Sequence, residues 1–574
     1  LIVATHSAQE PSLEKWIRDL EEIHARLPDA QSALARTAAW WNEYWKRSWI
    51  YVDGDEPAPV AYDPKLAEFA AERFPEQPAP PSVVTSAYIL SRWMMACAGR
   101  GNFPIPFNGS LFTVMPGAGK HYSTDRFDNF AEVFTSMPDG EPDLESNPDE
   151  RAWTHINLWQ NVRLPYHSML ARGEAESMLT LFRYYLRFRE LNRARAKLFW
   201  GAEGEYSTEI STSFGLMPGW VFGFDREGLP AGVSENRHGG AVEVSPGLEL
   251  IGLMLDYYRY TADDRFLQEE LLPYAKELFR YIETRSPERE NGKIVIRPIH
   301  ALETYWDTRD SMPVAAGMRA VLEGILALPR DRVPDYDYFA SIRAMTPDLP
   351  TRPVDGGRRL LAPARQYEAA RNNVELPELY AVFPFALYGL GKPDLDVAVD
   401  SFMKALEVSG AYRPYVLGKG PENGQYYASF SGWQQIGMNA ALLGLADMAK
   451  TVLAHNCRMQ NPGFRFPAMW GPIYDGVPDI DHAANILNTL QLMAFQVDGG
   501  KIRVLPAWPK EWNVSFKFHA PGGTTVECEA RGGKVTALRV DPPERRKDVV
   551  IGSGFSFSAD DEAIDPHCKE GELG

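Results

Sequence analysis

The run Asp481-His482-Ala483-Ala484-Asn485-Ile486-Leu487-Asn488-Thr489-Leu490-Gln491-Leu492-Met493-Ala494-Phe495-Gln496-Val497 decides the fold class. It holds no glycine or proline and reads as a helix over residues 482–497. It is too apolar to be the one-sided helix of a surface. Similar helical patterns recur at 82–99, 155–172, 175–200, 247–262, 265–285, 311–328, 395–408 and 432–457. The loops between them are long and rich in Gly, Pro, Asn and Trp, and such loops on a helical scaffold are where function usually resides. Helices in loose pairs with long loops predict a closed ring of about twelve rather than an open bundle.

Outward from that body, the pattern changes at both ends. Near residue 500 the period drops to two, in Lys501–Pro506, Val514–His519, Thr524–Ala530 and Lys534–Val540. Gly-Gly and Pro-Gly turns separate these runs, which predicts a small antiparallel β domain at 500–560, with 561–574 a polar tail. Upstream, 12–26 and 31–50 read as two helices, the first capped by Ser12, the second rich in Trp (Trp40, Trp41, Trp45, Trp49). Leu1-Ile2-Val3-Ala4-Thr5 is a strand-like run without the basic region or cleavage site of a signal peptide. It reads as the stub of something that precedes it. Residues 1–50 are thus expected to be stub and helical linker, and 51–499 the helical body.

Composition excludes several function classes. The chain has 574 residues, 45% hydrophobic and 24% charged, an ordinary globular balance. Its net charge of −18 (59 basic against 77 acidic residues) argues against a nucleic-acid partner. No run approaches the ~20 apolar residues of a membrane span. The four cysteines, Cys97, Cys457, Cys528 and Cys568, form no C-x-x-C pair, so neither a zinc site nor a disulfide framework is expected. There is no G-x-S-x-G elbow and no H-E-x-x-H. Gly117-Ala118-Gly119-Lys120-His121 fails as a phosphate loop, which would need Gly at Val114 and Ser or Thr at His121. Asn108-Gly109-Ser110 and Asn513-Val514-Ser515 match the glycosylation sequon. Aromatic residues reach 12%, with 15 Trp; they suit a large core or a cleft where flat rings stack on sugars.

Carboxylates in aromatic loops stand out. One segment is His300-Ala301-Leu302-Glu303-Thr304-Tyr305-Trp306-Asp307-Thr308-Arg309-Asp310. Another runs from Trp470 through Asp475 and Asp479 to Asp481-His482. Both precede helical runs, as if on one rim of a ring. Acids among Trp and Tyr suit glycoside hydrolysis, where one carboxyl is desolvated so that it can protonate the leaving oxygen and the other stays ionised to act on water. The plain alternative is that Asp310 and Asp481 cap helices.

At this point the residues resemble a family, glycoside hydrolase family 95. Asp481-His482-Ala483-Ala484-Asn485, with Leu492, Met493 and Gln496 downstream, is similar to the segment carrying that family's essential Asp. Leu505-Pro506-Ala507-Trp508-Pro509-Lys510-Glu511-Trp512 resembles its entry into a C-terminal β domain, and Leu379-Tyr380-Ala381-Val382-Phe383-Pro384 its Leu-Tyr-Gly-Leu-Tyr-Pro run. Ala301-Leu302-Glu303-Thr304 sits where it has Ser-Pro-Glu-Asn. The four occur in the family's order across most of 85–540.

The resemblance implies an (α/α)6 barrel preceded in the family by a β-sandwich, of which Leu1–Thr5 would be the stub. It implies an inverting exo-glycosidase acting on an α-linked fucose-, galactose- or rhamnose-like sugar, with no cofactor and a secreted or periplasmic location. Glu303 would be the acid, and Asp481 would polarise an amide that holds the attacking water. For that amide Asn157, Gln160 and Asn161 are candidates, with Asn161 preferred and Gln160 beside it. Glu209, Trp306, Glu378, Trp433, Trp470 and His482 would line the substrate. The sequence departs from the family before Leu379: cations there grip the sugar, and Asn373-Val374-Glu375-Leu376-Pro377-Glu378 replaces them with acids. Two other functions fit a similar scaffold. One is a polysaccharide lyase using His300, Tyr305, His482 or Arg309; the other is a glycan-binding protein without turnover.

Overall fold

The computed structural model describes residues 6, 8, 10–54, 81–106, 156–216, 243–354, 357–409, 433–458 and 480–557. The chain divides into two compact units, Leu1–Trp49 and Ile50–Gly574. The first holds the helices Leu13–Ala25 and Ala30–Arg47. Ser12 caps the first by accepting from the Lys15 N–H at 3.3 Å, and Asp29 caps the second with bonds of 3.0 Å from both Gln31 and Ser32. Trp41 and Trp45, one turn apart, stack with centroids 5.7 Å apart.

The second unit is mixed helical with small sheets. Its helices fall into two kinds. Ser245–Thr261, Met312–Leu326 and Ile480–Ala494 are buried nearly all round; in the last, only Leu492 is not buried. A helix apolar on all sides must sit inside a second layer. That layer is one-sided: Ala175–Arg187 buries Met178, Leu181, Phe182 and Tyr185, Leu272–Arg285 buries Ala275, Leu278, Phe279 and Ile282, and Leu395–Ser409 buries Ala398, Phe402, Ala405 and Leu406. Ser245–Thr261 packs on Met312–Leu326 and on Ala175–Arg187. Ile480–Ala494 packs on Pro81–Ala98, Ile436–Leu442, Ala446–Arg458 and the 3-10 turn Leu164–Tyr166. Close approach is purchased with small residues: a Cβ on Gly317 would lie 2.7 Å from the Phe385 ring and 2.9 Å from Leu248.

Three of the expected helices are not continuous; 175–200 is two, Ala175–Arg187 and Arg189–Trp200, parted at Phe188. The stretch 155–172 is a short strand (Ile156–Leu158), a single α turn (Trp159–Val162) and the turn Leu164–Tyr166. Its buried residues imitate helical spacing, but Pro165 offers no N–H for a continuing helix. The stretch 432–457 splits into Ile436–Leu442 and Ala446–Arg458 around Gly444, which adopts φ +76°. Residues 31–50 end their helix at Arg47, and the strand Trp49–Asp53 follows.

Beyond Ile480–Ala494 the chain becomes β. Asn513–Ala520, Thr524–Arg531 and Lys534–Asp541 pair antiparallel. Along the first of these, Val514, Phe516, Phe518 and Ala520 point inward and the residues between them do not, the alternation a pleated strand imposes. The expectation of a purely antiparallel domain needs correcting. Ser556–Phe557 joins Lys534–Asp541 parallel, and Val549–Ile551 joins Lys501–Val504 parallel. Trp49–Asp53 adds an edge strand to the same five-stranded sheet. Among the described residues no helix is long and apolar enough to cross a membrane.

Leu278 is fully buried, whereas Val408 is exposed on Leu395–Ser409. Leu278→Ala is expected to destabilise the protein by about 2–5 kcal/mol, and Val408→Ala by less than about 0.5 kcal/mol. Urea unfolding midpoints of both variants check this.

Candidate active site

Glu303 sits in a β-hairpin. Ile299–Ala301 pairs with Tyr305–Ser311, and Leu302, at φ +56°, opens the turn that carries Glu303 and Thr304. The hairpin feeds directly into Met312–Leu326. Leu302, Thr304 and Tyr305 are buried, while Glu303 is half-buried. Its Oε2 accepts from Asn373 Nδ2 at 2.6 Å and from Gln160 Nε2 at 3.3 Å. Burial pushes its pKa up, against the pull of those two amides.

Asp481 lies in the first turn of Ile480–Ala494 and is fully buried. Its Oδ1 accepts from the His482 N–H at 2.7 Å, and its Oδ2 from Asn161 Nδ2 at 2.5 Å. Burial pushes its pKa up to about 7, against those hydrogen bonds. The two carboxyls are therefore joined through consecutive residues of one turn. Gln160 reaches Glu303 and Asn161 reaches Asp481. Asn161 is fully buried, and its Oδ1 has no protein partner.

That turn is held from below by Glu209. Its backbone oxygen accepts from the Trp159 N–H at 2.8 Å and its Oε1 from the Gln160 N–H at 2.7 Å. The first N–H groups of a helical turn lack internal partners, so a buried carboxyl there both satisfies and orients the turn. Next along, Arg163 pairs with Glu249 (3.1 Å) and donates to Tyr380 Oη at 2.8 Å. Burial works against the Arg163 charge, but Glu249 and the surrounding carboxyls keep it protonated.

The surroundings are acidic. Burial pushes Glu209 up to about 8 and Glu249 to about 7, with the charge of Glu303 adding to the first. Glu243 and Glu375 are driven well above the usual carboxylate range by burial and by the other glutamates.

The remaining expected residues are distributed as follows. Trp306 is partly exposed, stacks on His300 at 5.4 Å and donates from Nε1 to the Glu303 carbonyl at 2.8 Å. Trp433 is buried in a cavity wall with Glu375. His482 is buried, its Nε2 3.2 Å from the Asn456 carbonyl, and burial holds its pKa down to about 4. Asn157 turns to Tyr184 Oη at 2.9 Å rather than to either carboxyl. Glu378 is buried with its pKa raised by burial; no hydrogen bond joins it to Glu303 among the described residues. Trp470 lies outside the described residues, as do Asp475 and Asp479. Asp310 does not cap a helix; its Oδ1 accepts from the Ile296 N–H at 2.8 Å.

The residues that would serve a lyase are engaged elsewhere. His300 Nδ1 accepts from the Asp307 N–H, Tyr305 Oη from Arg371, and Arg309 pairs with Glu290 and Asp310. Two residues that the sequence reading passed over belong to the site. Asn373 holds Glu303, and Glu375, flanked by Val374, Leu376 and Pro377, is buried among apolar neighbours. In the described cluster with a metal-like set of donors, His6, Glu10 and Asp19, the two carboxylates already pair with the Lys15 ammonium at 2.8 and 2.6 Å.

Comparison with known proteins bears on the scaffold. A family profile described as a domain of unknown function (DUF5703) matches residues 1–50. No curated protein matches the chain. Among solved structures, one described as "Putative kojibiose phosphorylase from human microbiome" superposes with a TM-score of 0.51 at 11% identity, over 92% of this chain and 64% of that one. The chain thus spans just under two thirds of that neighbour's length. At this identity the likeness is one of fold.

A carboxyl whose folded pKa is raised contributes stability that is fully present below its unfolded value and is lost as pH rises through the folded one. For Glu209 that window runs from 4.5 to about 8. Glu209→Gln keeps an acceptor for the Gln160 N–H and cannot ionise. The variant's melting temperature relative to wild type is expected to rise as pH increases across this window, as thermal scans at several pH values would reveal.

Proposed function

We propose that the chain is a glycoside hydrolase on an (α/α)6 toroid, inverting and exo-acting on an α-linked fucose-, galactose- or rhamnose-like sugar. The observation that carries the reading is the turn Trp159–Val162, whose neighbours Gln160 and Asn161 bond to Glu303 and Asp481. The likeness to a phosphorylase of disaccharides supports a saccharide-processing scaffold. The work such enzymes do on glycans fits a location outside the cytoplasm.

The roles follow from the hydrogen bonds. Glu303 is half-buried, and burial raises its pKa, which favours the protonated form that can give a proton to the glycosidic oxygen. Asp481 has both oxygens committed, to Asn161 and to the His482 backbone, and is sealed from solvent. It is poorly placed to attack a sugar carbon. It can instead draw on the Asn161 amide and make the open Oδ1 a stronger acceptor for water. Water attack opposite the acid inverts the anomeric centre. Burial of the site removes competing solvent.

Hydrolysis is favoured over phosphorolysis by charge. A phosphate brings close to two negative charges at pH 7. Here the cation beside the pair, Arg163, is already committed to Glu249 and Tyr380, and its neighbours are carboxyls rather than further cations.

The test is turnover of aryl α-glycosides of L-fucose, L-galactose, L-rhamnose and D-galactose. One substrate is expected to be cleaved to free sugar, with the product's anomeric configuration inverted by NMR. Glu303→Gln and Asp481→Asn should each lower kcat by about 10²–10⁴-fold. Inorganic phosphate should neither accelerate the reaction nor yield a sugar phosphate. The rate should climb through about pH 7 as Asp481 ionises, a limb that Asp481→Asn should abolish. Sugar 1-phosphate as the product would overturn the reading, as would turnover untouched by either substitution.

A further inference from the structure

A second polar feature adjoins the two carboxyls without taking part in the roles assigned to them. Glu375 is 4% exposed, and neither of its carboxyl oxygens has a hydrogen-bond partner among the described residues. A buried carboxyl without partners is costly, so such a group in a native fold calls for an explanation. Glu375 lines a partly open cavity of about 270 Å³ with Tyr380, Trp433, Gln434 and Asn439. Gln434 is also 4% exposed, and its Nε2 is unpartnered. Asn439 gives its Nδ2 hydrogen to the Gln435 carbonyl at 3.0 Å and leaves its Oδ1 unpartnered. One wall therefore offers acceptors and another a donor. The cavity is narrow, with room for about one oxygen atom.

The walls are hung from the elements that carry the acid and its opposite number. The Glu375 carbonyl accepts from Thr304 Oγ1 at 3.2 Å, next to Glu303, and Asn373, two residues before Glu375, bonds to Glu303 itself. The Gln434 carbonyl accepts from Asn485 Nδ2 at 2.8 Å, one turn after Asp481 on the same helix. A ring positioned between Glu303 and Asp481 thus has this cavity as a neighbour.

We infer that the cavity is a socket for one sugar hydroxyl, in which Glu375 accepts the hydroxyl hydrogen and Gln434 donates to its oxygen. A hydroxyl is donor and acceptor at once, which matches a mixed set of unpartnered groups better than a cation or an anion does. The acidic surroundings, which hold Glu375 well above the usual carboxylate range, also disfavour a carboxylate or phosphate there. The inference rests on the glycosidase reading for its substrate class. It adds a specificity: the substrate is hydroxylated at the position that enters the socket, and its deoxy counterpart is rejected. A site built to bond a hydroxyl discriminates strongly against the analogue lacking it, because its buried polar groups are then left unpaired.

The experiment is binding rather than turnover. Affinities of the full chain carrying Glu303→Gln would be measured by ligand-observed NMR for sugar pairs that differ by one hydroxyl. L-galactose against L-fucose and D-glucose against 2-deoxy-D-glucose are the probes. In at least one pair the hydroxylated sugar is expected to bind at least ~10-fold tighter. That gap should shrink severalfold when Glu375→Leu is added, and separately with Gln434→Leu. Both replacements are near in shape, and circular dichroism of each variant verifies the fold. No preference in any pair would overturn the socket, as would a gap that survives both substitutions. If aryl glycosides are hydrolysed while the gap survives, the socket fails and the glycosidase reading stands. If nothing is hydrolysed yet the gap depends on Glu375, the socket stands and the catalytic reading fails. Failure of every sugar to bind removes both.

Discussion

The site depends on one short turn, Trp159–Val162, and on the buried carboxyl beneath it. Consecutive residues of a helical turn point about 100° apart, so Gln160 and Asn161 diverge to different partners, Glu303 and Asp481. A longer helix would carry the same two amides but could not be set by a single side chain. Here Glu209 sets it, with two hydrogen bonds to the first N–H groups of the turn. The strand Ile156–Leu158, paired with Ile210–Thr212, brings Glu209 to that position. The geometry of both reactive carboxyls thus traces to a two-stranded ladder and one buried acid, supported by the helices around them.

The electrostatics of this arrangement have a cost that the fold absorbs elsewhere. Glu209, Glu303 and Glu375 all raise the pKa of Glu243, and Glu303 raises those of Glu209 and Glu375 as well, while Arg163 is held by Glu249. Carboxyls crowded in a low-dielectric interior remain protonated where water would ionise them. For a general acid that is an advantage, since the proton must be present at the pH of reaction. It is also why the inner helices carry so little charge: Met312–Leu326 and Ile480–Ala494 supply apolar surface, not counter-ions.

Much of the scaffold is legible in the chain because helix length and apolar content leave few alternatives. Ser245–Thr261, Met312–Leu326 and Ile480–Ala494 begin within two residues of where their patterns place them. The strands Asn513–Ala520 and Thr524–Arg531 are equally plain, because alternation admits one reading. The errors fall where local sequence and tertiary role conflict. Residues 155–172 carry Trp159, Val162, Leu164, Tyr166 and Leu170 at helix-like intervals, yet they fold as strand and turns. Burial there comes from the helices packed around the segment, which periodicity cannot distinguish from burial along a helix face.

The same distinction separates the site residues that could be read from those that could not. Glu303 and Asp481 stand in motifs, and Asn161 stands beside a second amide. Asn157, of identical chemistry and four residues earlier, is turned away by its strand pairing and bonds to Tyr184. Residue type could not separate these amides; only the strand-to-turn change at Leu158 does. Glu375 and Glu378 show the opposite case. Both are acids in an apolar loop where the resembled family carries cations, and the sequence reading chose Glu378, not Glu375, to line the substrate. In three dimensions Glu375 hangs from the hairpin of Glu303 and faces a cavity, whereas Glu378 is buried in the turn Pro377–Ala381, where the charge of Arg371 only partly offsets the effect of burial. What the family resemblance registers only as a loss of cations is, in the fold, a change in the kind of group that borders the cavity beside Glu303. Under the proposed function, such a change leaves Glu303 and Asp481 in place and alters what can be seated beside them.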